Sequence, residues 1–585
     1  MTELGDFDTF GDDTGLTAAT EPTAAIGTIT VREGLTLSEE PGGDRIEAYI
    51  TPEHRDEVRL RGYVVVPLDG TDDESVEHLF CRIERLRYAH EFSTDDATAI
   101  HARRALATDG IDESDYKFIA SLKPLSTVVG DPTDLDGTMR RRLPDTLPKP
   151  DATVREAAYE PEIKTGLKLP ESGIFVGHLA VSGERVMTAA SPPTVDYRLD
   201  DEGDDPMLFR HVLVAGGTGS GKTHAAKNII RQIVDGDRRY EMPDGRSVPP
   251  AIVIVDPQDE YAQLHDDNPD LNKETRRRLT REGIAYGGVP ETKALVPVVE
   301  GARYSPQGHR AEQLPITIPF GLVEHNHWLL AGGHLNDKQF NALSELLRTY
   351  FHRSETPTYR DFVEYLKDDS VVASFTEGGT IHEQTYEAVQ RRVINSTFRR
   401  TFDQDARPIT EVTEELVRAG GISTIPTYHL NSGRQRTLVV LAIASLIVDE
   451  KLTSDPRYSR IAETPIVLAM DEAHNYLSSA DSAQARMTIG KFTDAAKQGR
   501  KERLGLFLVT QDPGDIAEAI LKQLNTRISL NLSDEDAIAS LNLERSLAKQ
   551  VPELETGQMV VHSPDNAKAV QLVGLSDCVV KHGSR

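Results

Sequence analysis

One stretch, residues 211–234, constrains the fold of this 585-residue chain more than any other. Its apolar start at residues 212–214 and its helix-compatible end predict a strand, a loop and a helix. The loop fits the pattern G-x-x-x-x-G-K-[ST], in which backbone N–H groups surround phosphates, the lysine meets the outer phosphates and the hydroxyl holds Mg²⁺. We therefore expect a nucleotide and Mg²⁺ site at Gly216, Gly217, Thr218, Gly219, Ser220, Gly221, Lys222 and Thr223.

A second apolar run, residues 465–470, ends in the adjacent carboxylates Asp471 and Glu472. Nucleotide hydrolysis needs one acid to hold the metal's water shell and another to orient and polarise the attacking water. We assign the first role to Asp471 and the second to Glu472. The next two residues complete the letters DEAH, the tag of one helicase family, but no other motif of that family is evident, so we treat the match as coincidence.

Two further apolar runs have the unbroken character of buried parallel strands. Residues 251–256 end in Asp256, at the edge where α/β sheets bind ligands, so we interpret residues 257–261 as a site loop. Residues 506–510 end in Gln511, which is placed to sense the γ-phosphate of a nucleotide.

A basic cluster at residues 497–503 stands out in this acidic chain. One interpretation is a helix end that carries cations where the helix dipole favours them. The other is an arginine finger, at Arg500, offered to the nucleotide of a neighbouring subunit. The sequence alone leaves both open.

The chain is too long for one hydrophobic core, since single cores stop growing near about 250–300 residues. Short apolar runs bounded by turn residues predict a small N-terminal β-barrel or sandwich, with helix-like sequence near residues 97–107. The basic run at residues 139–142 could contact nucleic acid or a partner, but we favour a solvated loop. The predicted fold class is α/β. The expected domains are an acidic disordered tail (1–25), the N-terminal barrel with its linker (26–200), a first part of the ATPase core (201–334), an inserted helical bundle (335–420) and the second part of the core (421–585).

The net charge is -29, from 94 acidic and 65 basic residues. This balance favours a strongly hydrated protein, of the kind found in a high-salt, halophilic cytoplasm, and it gives no support for membrane binding. Two cysteines are too few for a disulfide framework, so we expect a reducing, cytoplasmic setting.

The order of the motifs GGTGSGKT, VDPQDEY, MDEAHNYL, KQGRK, VTQDPGDI and LNTRISLNL resembles the archaeal HerA family of hexameric DNA translocases, over residues from about 165 to 575. The resemblance implies an N-terminal barrel like that of ATP synthase subunits, a RecA-like core with an inserted helical bundle, double-stranded DNA as substrate and a NurA-type nuclease as partner in DNA end resection. It also implies that Lys222 and Thr223 bind phosphate and Mg²⁺, that Asp471 and Glu472 are the Walker B pair, that Gln511 is the sensor and that Arg500 is a finger acting in trans. Arg210 matches a basic position of the family.

Two functions from different classes remain open at this point. The first is a ring that hydrolyses ATP and moves duplex DNA through its channel. The second is a scaffold, in which nucleotide binding assembles a ring that positions an effector, as in phage-defence complexes. The presence of Glu472 favours the motor.

Overall fold

The computed structural model describes residues 24–31, 34–40, 42–68, 76–90, 116–134, 138–236, 238–331, 335–377, 379–479 and 482–583. The chain divides into two compact units, the first formed by residues 1–166 with 187–193 and the second by residues 167–186 with 194–585. The helix-like sequence at residues 97–107 and nearly all of the acidic tail lie outside the described residues.

The first unit is a barrel of antiparallel strands. Its pairing runs β2-β1-β7-β3-β4-β5, and β5 pairs back with β2, which closes six strands into a ring. Alternate residues of β2, such as Ile46, Ala48 and Ile50, are buried in its core. The predicted barrel is thus confirmed. The elements are β1 (Ala25–Thr30), β2 (Ile46–Ile50), β3 (Tyr63–Pro67), β4 (Glu77–His90), β5 (Tyr116–Val129), β6 (Arg140–Arg142), β7 (Thr153–Glu156) and the helix α1 (Glu160–Leu167).

The basic run Arg140–Arg142 is a strand, so the expectation of a solvated loop is wrong. It forms β6, which pairs antiparallel with β5 outside the closed ring. Arg142 bonds Glu77 at 2.8 Å, and the Arg141 guanidinium donates to the carbonyl of Leu125 at 3.1 Å. These two arginine side chains therefore bind groups of their own unit. The local sequence gives no sign of these partners.

The second unit is built on one large sheet, ordered β10-β8-β23-β22-β21-β11-β20-β19-β14-β18-β15-β16-β17. From β21 to β17 neighbouring strands are parallel, and the other end of the sheet is antiparallel. The strands of the second unit are β8 (Ile174–Val181), β9 (Glu184–Arg185), β10 (Asp196–Leu199), β11 (Val212–Ala215), β12 (Tyr240–Glu241), β13 (Ser247–Val248), β14 (Ala251–Asp256), β15 (Thr292–Pro297), β16 (Glu312–Thr317), β17 (Arg407–Pro408), β18 (Ile422–Pro426), β19 (Ile466–Met470), β20 (Leu504–Thr510), β21 (Thr526–Ser529), β22 (Gln558–His562) and β23 (Val570–Val573). Of these, β12 and β13 form a separate two-stranded sheet.

Two strands of this sheet, β8 and β10, come from the segment 26–200 that we expected to belong with the barrel. β8 is buried along nearly its whole length and pairs with β23 on one side and β10 on the other. A strand as long and as buried as β8 needs hydrogen-bonding neighbours along both of its edges. One of these neighbours, β23, lies almost 400 positions further along the chain, so local sequence does not reveal the pairing.

Helices cover this sheet and fill the segment between β16 and β18. Residues 337–399 are mainly helical, as the 3.6-residue spacing predicts, and Leu343, Leu347, Phe362 and Val389 are fully buried there. The helices are α2 (Lys222–Ile233), α3 (Lys273–Arg281), α4 (Asp337–Arg353), α5 (Tyr359–Lys367), α6 (Asp369–Thr376), α7 (Glu383–Val393), α8 (Ser396–Arg399), α9 (Thr413–Leu416), α10 (Gly433–Leu452), α11 (Ser459–Ala462), α12 (His474–Leu477), α13 (Ala483–Gln498), α14 (Glu518–Leu521), α15 (Glu535–Ser540) and α16 (Arg545–Ala548).

The predicted α/β core with helices inserted in it is confirmed by this arrangement. Within the described ranges, no helix is both long enough and apolar enough to cross a membrane.

Candidate nucleotide site

The glycine-rich loop connects β11 to α2 at the carboxyl edge of the parallel strands. Gly219 and Gly221 have φ angles of +78° and +95°, a backbone region that glycine enters without steric cost. At Gly216 an added Cβ would lie 2.6 Å from the hydroxyl oxygen of Ser220. The loop therefore depends on its glycines, and it leaves the first N–H groups of α2 without helical partners, as a phosphate cradle requires.

Lys222 is the first residue of α2 and is only 8% exposed. Its ammonium group donates to the carbonyl of Gly217 at 2.9 Å, and the hydroxyl of Ser220 donates to the same carbonyl at 2.8 Å. Burial lowers the pKa of Lys222, while the charges of Glu472 and Asp471 oppose that shift. The lysine thus lies in the field of the two acids on the neighbouring part of the sheet edge.

Asp471 and Glu472 follow β19, which lies between β14 and β20. Burial, and then the charges of Glu472 and Asp256, raise the pKa of Asp471 to about 8. Burial and the charge of Asp259 raise the pKa of Asp256 to about 7. Several acids in one buried place repel each other unless they share protons or a cation. The donor set therefore fits a divalent cation held with the phosphates of a nucleotide.

A chain of hydrogen bonds connects three of the expected site residues. The hydroxyl of Thr218 donates to Oε1 of Gln511 at 2.8 Å, and Nε2 of Gln511 donates to Oε1 of Glu472 at 2.5 Å. The other carboxylate oxygen of Glu472 is buried, accepts no hydrogen bond from any described residue, and lies 3.4 Å from Nδ1 of His474. Glu472 has a φ of +50°, which for a residue with a side chain costs about 1–3 kcal/mol and is typical of functional sites.

A cleft of about 580 Å³ opens beside the loop, and Thr223 lines it together with Gly219, Gly221 and Lys222. The cleft also contains three residues that the sequence did not identify: Arg185, His224 and His582. The rings of His224 and His582 pack edge to face at 5.5 Å, and burial lowers the pKa of each to about 4. The position of His224 directly after the loop motif was a usable signal, whereas nothing in the sequence marks His582. The expected site loop after Asp256 supplies Glu260.

Arg500 and Arg210 lie at the opposite, amino edge of the same sheet. Arg500 precedes β20 and pairs with Asp205, whereas Gln511 follows that strand. Arg210 precedes β11 and pairs with Asp205 at 2.7 Å and with Asp565 at 3.0 Å. The seven residues of β20 span about 20 Å, so neither arginine reaches the glycine-rich loop of its own chain. Contact with a nucleotide stays a prediction for both residues, and it requires a second chain.

The comparisons with known proteins agree with this geometry. Residues 190–447 match the family model described as "Helicase HerA, central domain". The chain is 23% identical over 416 residues to the DNA double-strand break repair helicase HerA of Pyrococcus furiosus, covering 65% of this chain and 67% of that one. It is 22% identical over 374 residues to a probable helicase of Methanocaldococcus jannaschii, covering 61% and 64%.

Among solved structures, the bacterial conjugative coupling protein TrwB is 15% identical, with 72% of this chain and 92% of that chain covered and a TM-score of 0.44. VirB4 of Thermoanaerobacter pseudethanolicus is 14% identical, with 70% and 97% covered and a TM-score of 0.43. At these TM-scores the two structures add nothing to the assignment.

Proposed function

We propose that this chain is a P-loop ATPase related to the HerA helicases, whose central-domain model its residues 190–447 match, and that it uses ATP hydrolysis to move along double-stranded DNA. The observation that carries the proposal is the hydrogen-bonded set of Thr218, Gln511 and Glu472 beside Lys222, inside a chain with that domain. Relatives with similar sequences are described as DNA double-strand break repair helicases, which supports DNA as the substrate.

The proposed chemistry assigns one task to each group at the carboxyl edge. The first N–H groups of α2 and the ammonium of Lys222 bind the phosphates of ATP. Thr223 and Asp471 would hold Mg²⁺, which would supply positive charge to neutralise the charge that develops during hydrolysis. Glu472 orients and polarises the attacking water, and Gln511 fixes one oxygen of Glu472 so that the other faces the water.

The position of Arg500 at the far edge of the sheet supports the proposal of a ring. Since Arg500 lies about one strand length from its own glycine-rich loop, it acts as a finger only on the nucleotide of another chain. We propose a homo-hexamer in which each Arg500 leaves Asp205 and reaches the neighbouring site. Arg210, paired with the same Asp205, has the same requirement for a second chain.

We further propose that the ring works with a NurA-type nuclease in DNA end resection. This step rests on the repair helicases among its relatives. The scaffold function is the alternative, and it differs in one observable respect: a scaffold needs nucleotide to assemble but gains no turnover from DNA.

The test is ATP turnover with and without a closed circular duplex, for wild type and for Glu472→Gln. As a matched control we choose Glu535→Gln, which makes the same change on the exposed first turn of α15. We expect duplex DNA to raise turnover in wild type and in Glu535→Gln, and we expect turnover in Glu472→Gln to be lower by about 10²–10⁴-fold. Turnover that is unaffected by DNA, in a protein that still assembles with nucleotide, would support the scaffold instead.

A further inference from the structure

We propose that a second cleft, which shares no lining residue with the cleft at the glycine-rich loop, binds the phosphates of a duplex DNA backbone. The proposal deepens the proposed function and rests on it. We call this place the basic cleft. Its volume is about 630 Å³, and it is lined by Leu329, Leu330, Ala331, Arg391, Arg392, Asn395, Ser396, Thr397, Phe398, Gly433, Arg434, Thr437, Leu438 and Gln484.

The charge of the basic cleft is opposite to that of the whole chain. The net charge of the protein is -29, yet residues 388–400 contain four arginines and no acid, and residues 427–448 contain two arginines and no acid. These two segments meet in the cleft, and its described lining contains Arg391, Arg392 and Arg434 but neither Asp nor Glu. Guanidinium groups stay charged at all physiological pH values, and one guanidinium can donate two parallel hydrogen bonds to two oxygens of a phosphate. The lining therefore carries side chains of the kind that bind a polyanion, although the protein as a whole is acidic.

A long helix adds a second phosphate-binding element. α10 has 20 residues, and its first residues, Gly433 and Arg434, line the cleft. The side chain of Ser432, at its N-cap, makes no capping hydrogen bond, and the described first turn contains no acidic residue. The first N–H groups of a helix lack helical partners and lie at its positive end, so they favour an anion. Arginines and a helix N-terminus are the groups that usually contact DNA phosphates.

The lining favours a duplex backbone over other ligands. Three arginines on two different helices, around a cavity much larger than one phosphate group, fit neighbouring phosphates of a strand better than a single ion. Proteins that hold single strands stack the bases on aromatic side chains. Phe398 is the one aromatic residue in the described lining, and it is buried. The cleft is therefore suited to contacts with the backbone, which carry no sequence preference.

The experiment measures duplex affinity as a function of salt for the full-length protein. The affinity falls as salt rises, and each lost phosphate contact makes the slope of log affinity against log salt shallower by about 0.9. We expect Arg391→Gln with Arg392→Gln to make the slope shallower by about two. Arg434→Gln, on the other helix, should make it shallower by about one. The matched control is Arg399→Gln with Arg400→Gln, the other arginine pair of the same segment. Neither Arg399 nor Arg400 lines the cleft, so this variant should keep the wild-type slope. Arg399 pairs with Glu300 at 3.5 Å.

Three outcomes would overturn the proposal. If both cleft variants, folded by their unfolding midpoints, keep the wild-type slope, DNA is bound elsewhere. If inorganic phosphate binds in wild type and is lost in the variants while the DNA slope is unchanged, the cleft takes only a free anion. If it is instead a site for single strands, the variants lose affinity for a single strand and keep it for a duplex. A wild-type protein whose turnover DNA does not raise would contradict the proposed function itself, and that measurement does not involve the cleft variants.

Discussion

The two edges of the central sheet carry charges in different ways. At the carboxyl edge, Asp256, Asp471 and Glu472 lie together, and burial, followed by the charges of neighbouring acids, raises the pKa values of the two aspartates. At the amino edge, Arg210 and Arg500 are already paired with acids of their own chain.

The difference indicates where a ligand is needed. Charges that repel each other in a buried place are stabilised by a cation and its bound phosphates, so the carboxyl edge is arranged for a ligand that a single chain can bind. Arginines that are already paired do not need a ligand. In the proposed ring, a second chain brings its nucleotide to that edge, and each arginine exchanges its ion pair within the chain for one with the nucleotide.

The largest effect is expected from breaking the carboxyl edge. Lys222→Ala should abolish ATP turnover because the phosphates lose their cation. Glu472→Gln should keep the nucleotide bound and reduce turnover by about 10²–10⁴-fold, the usual contribution of a positioned base. Nucleotide binding and steady-state turnover, measured on the same samples, separate the two. Wild-type turnover in Glu472→Gln would show that the carboxyl edge has been assigned wrongly.

A smaller effect should follow from Gln511→Ala, which removes the hydrogen bond at 2.5 Å to Glu472 without removing the carboxylate. Residues that orient a functional group typically contribute about 10–100-fold. Turnover should fall within that range, with unchanged affinity for nucleotide. Thr218→Val sharpens the result, because it removes the other bond of Gln511, at 2.8 Å, and should have the weaker effect. Equal loss in both variants would mean that Gln511 acts only as a spacer.

The smallest effect concerns His211 at the amino edge. Its Nε2–H donates to the carbonyl of Ala496 at 2.8 Å, and its Nδ1 accepts from the N–H of Leu506 at 2.9 Å. Burial lowers the pKa of His211 to about 4, against an ordinary value near 6.5. The unfolded chain therefore takes up the proton first as the pH falls. The contribution of neutral His211 to the free energy of unfolding is fully present above pH 6.5. It is lost between pH 6.5 and 4, and the loss reaches about 3 kcal/mol at pH 4.

That loss should lower the unfolding midpoint of wild type by only a few degrees in a unit of this size. His211→Asn should lose this part of the pH dependence, while His352→Gln, a change at an exposed histidine, should keep it. Identical pH profiles in all three proteins would show that His211 does not stabilise the amino edge.

The carboxyl edge could be predicted from the sequence because its residues lie at the ends of apolar strands or, like Lys222, follow such a strand through the glycine-rich loop. Lys222, Glu472 and Gln511 meet since parallel strands end at one edge, whatever their order in the sheet. The amino edge could not be predicted in the same way. The partners Asp205 and Asp565 lie in loops without periodicity, and Asp565 is 355 positions from Arg210. For the same reason His582 in the cleft, and the pairing of β8 with β23, had no local signal.

The central claim is that one site is made by the carboxyl edge of one chain and the amino edge of another. The most direct test is to mix two inactive variants and to measure ATP turnover. Arg500→Ala retains its own phosphate site but offers no finger, and Lys222→Ala retains the finger but has no phosphate site. In a mixed ring some interfaces combine the intact loop of the first with the intact arginine of the second. We expect a mixture to recover part of the wild-type turnover, since a finger in trans contributes about 10³-fold or more. A mixture as inactive as either variant alone would contradict a shared site.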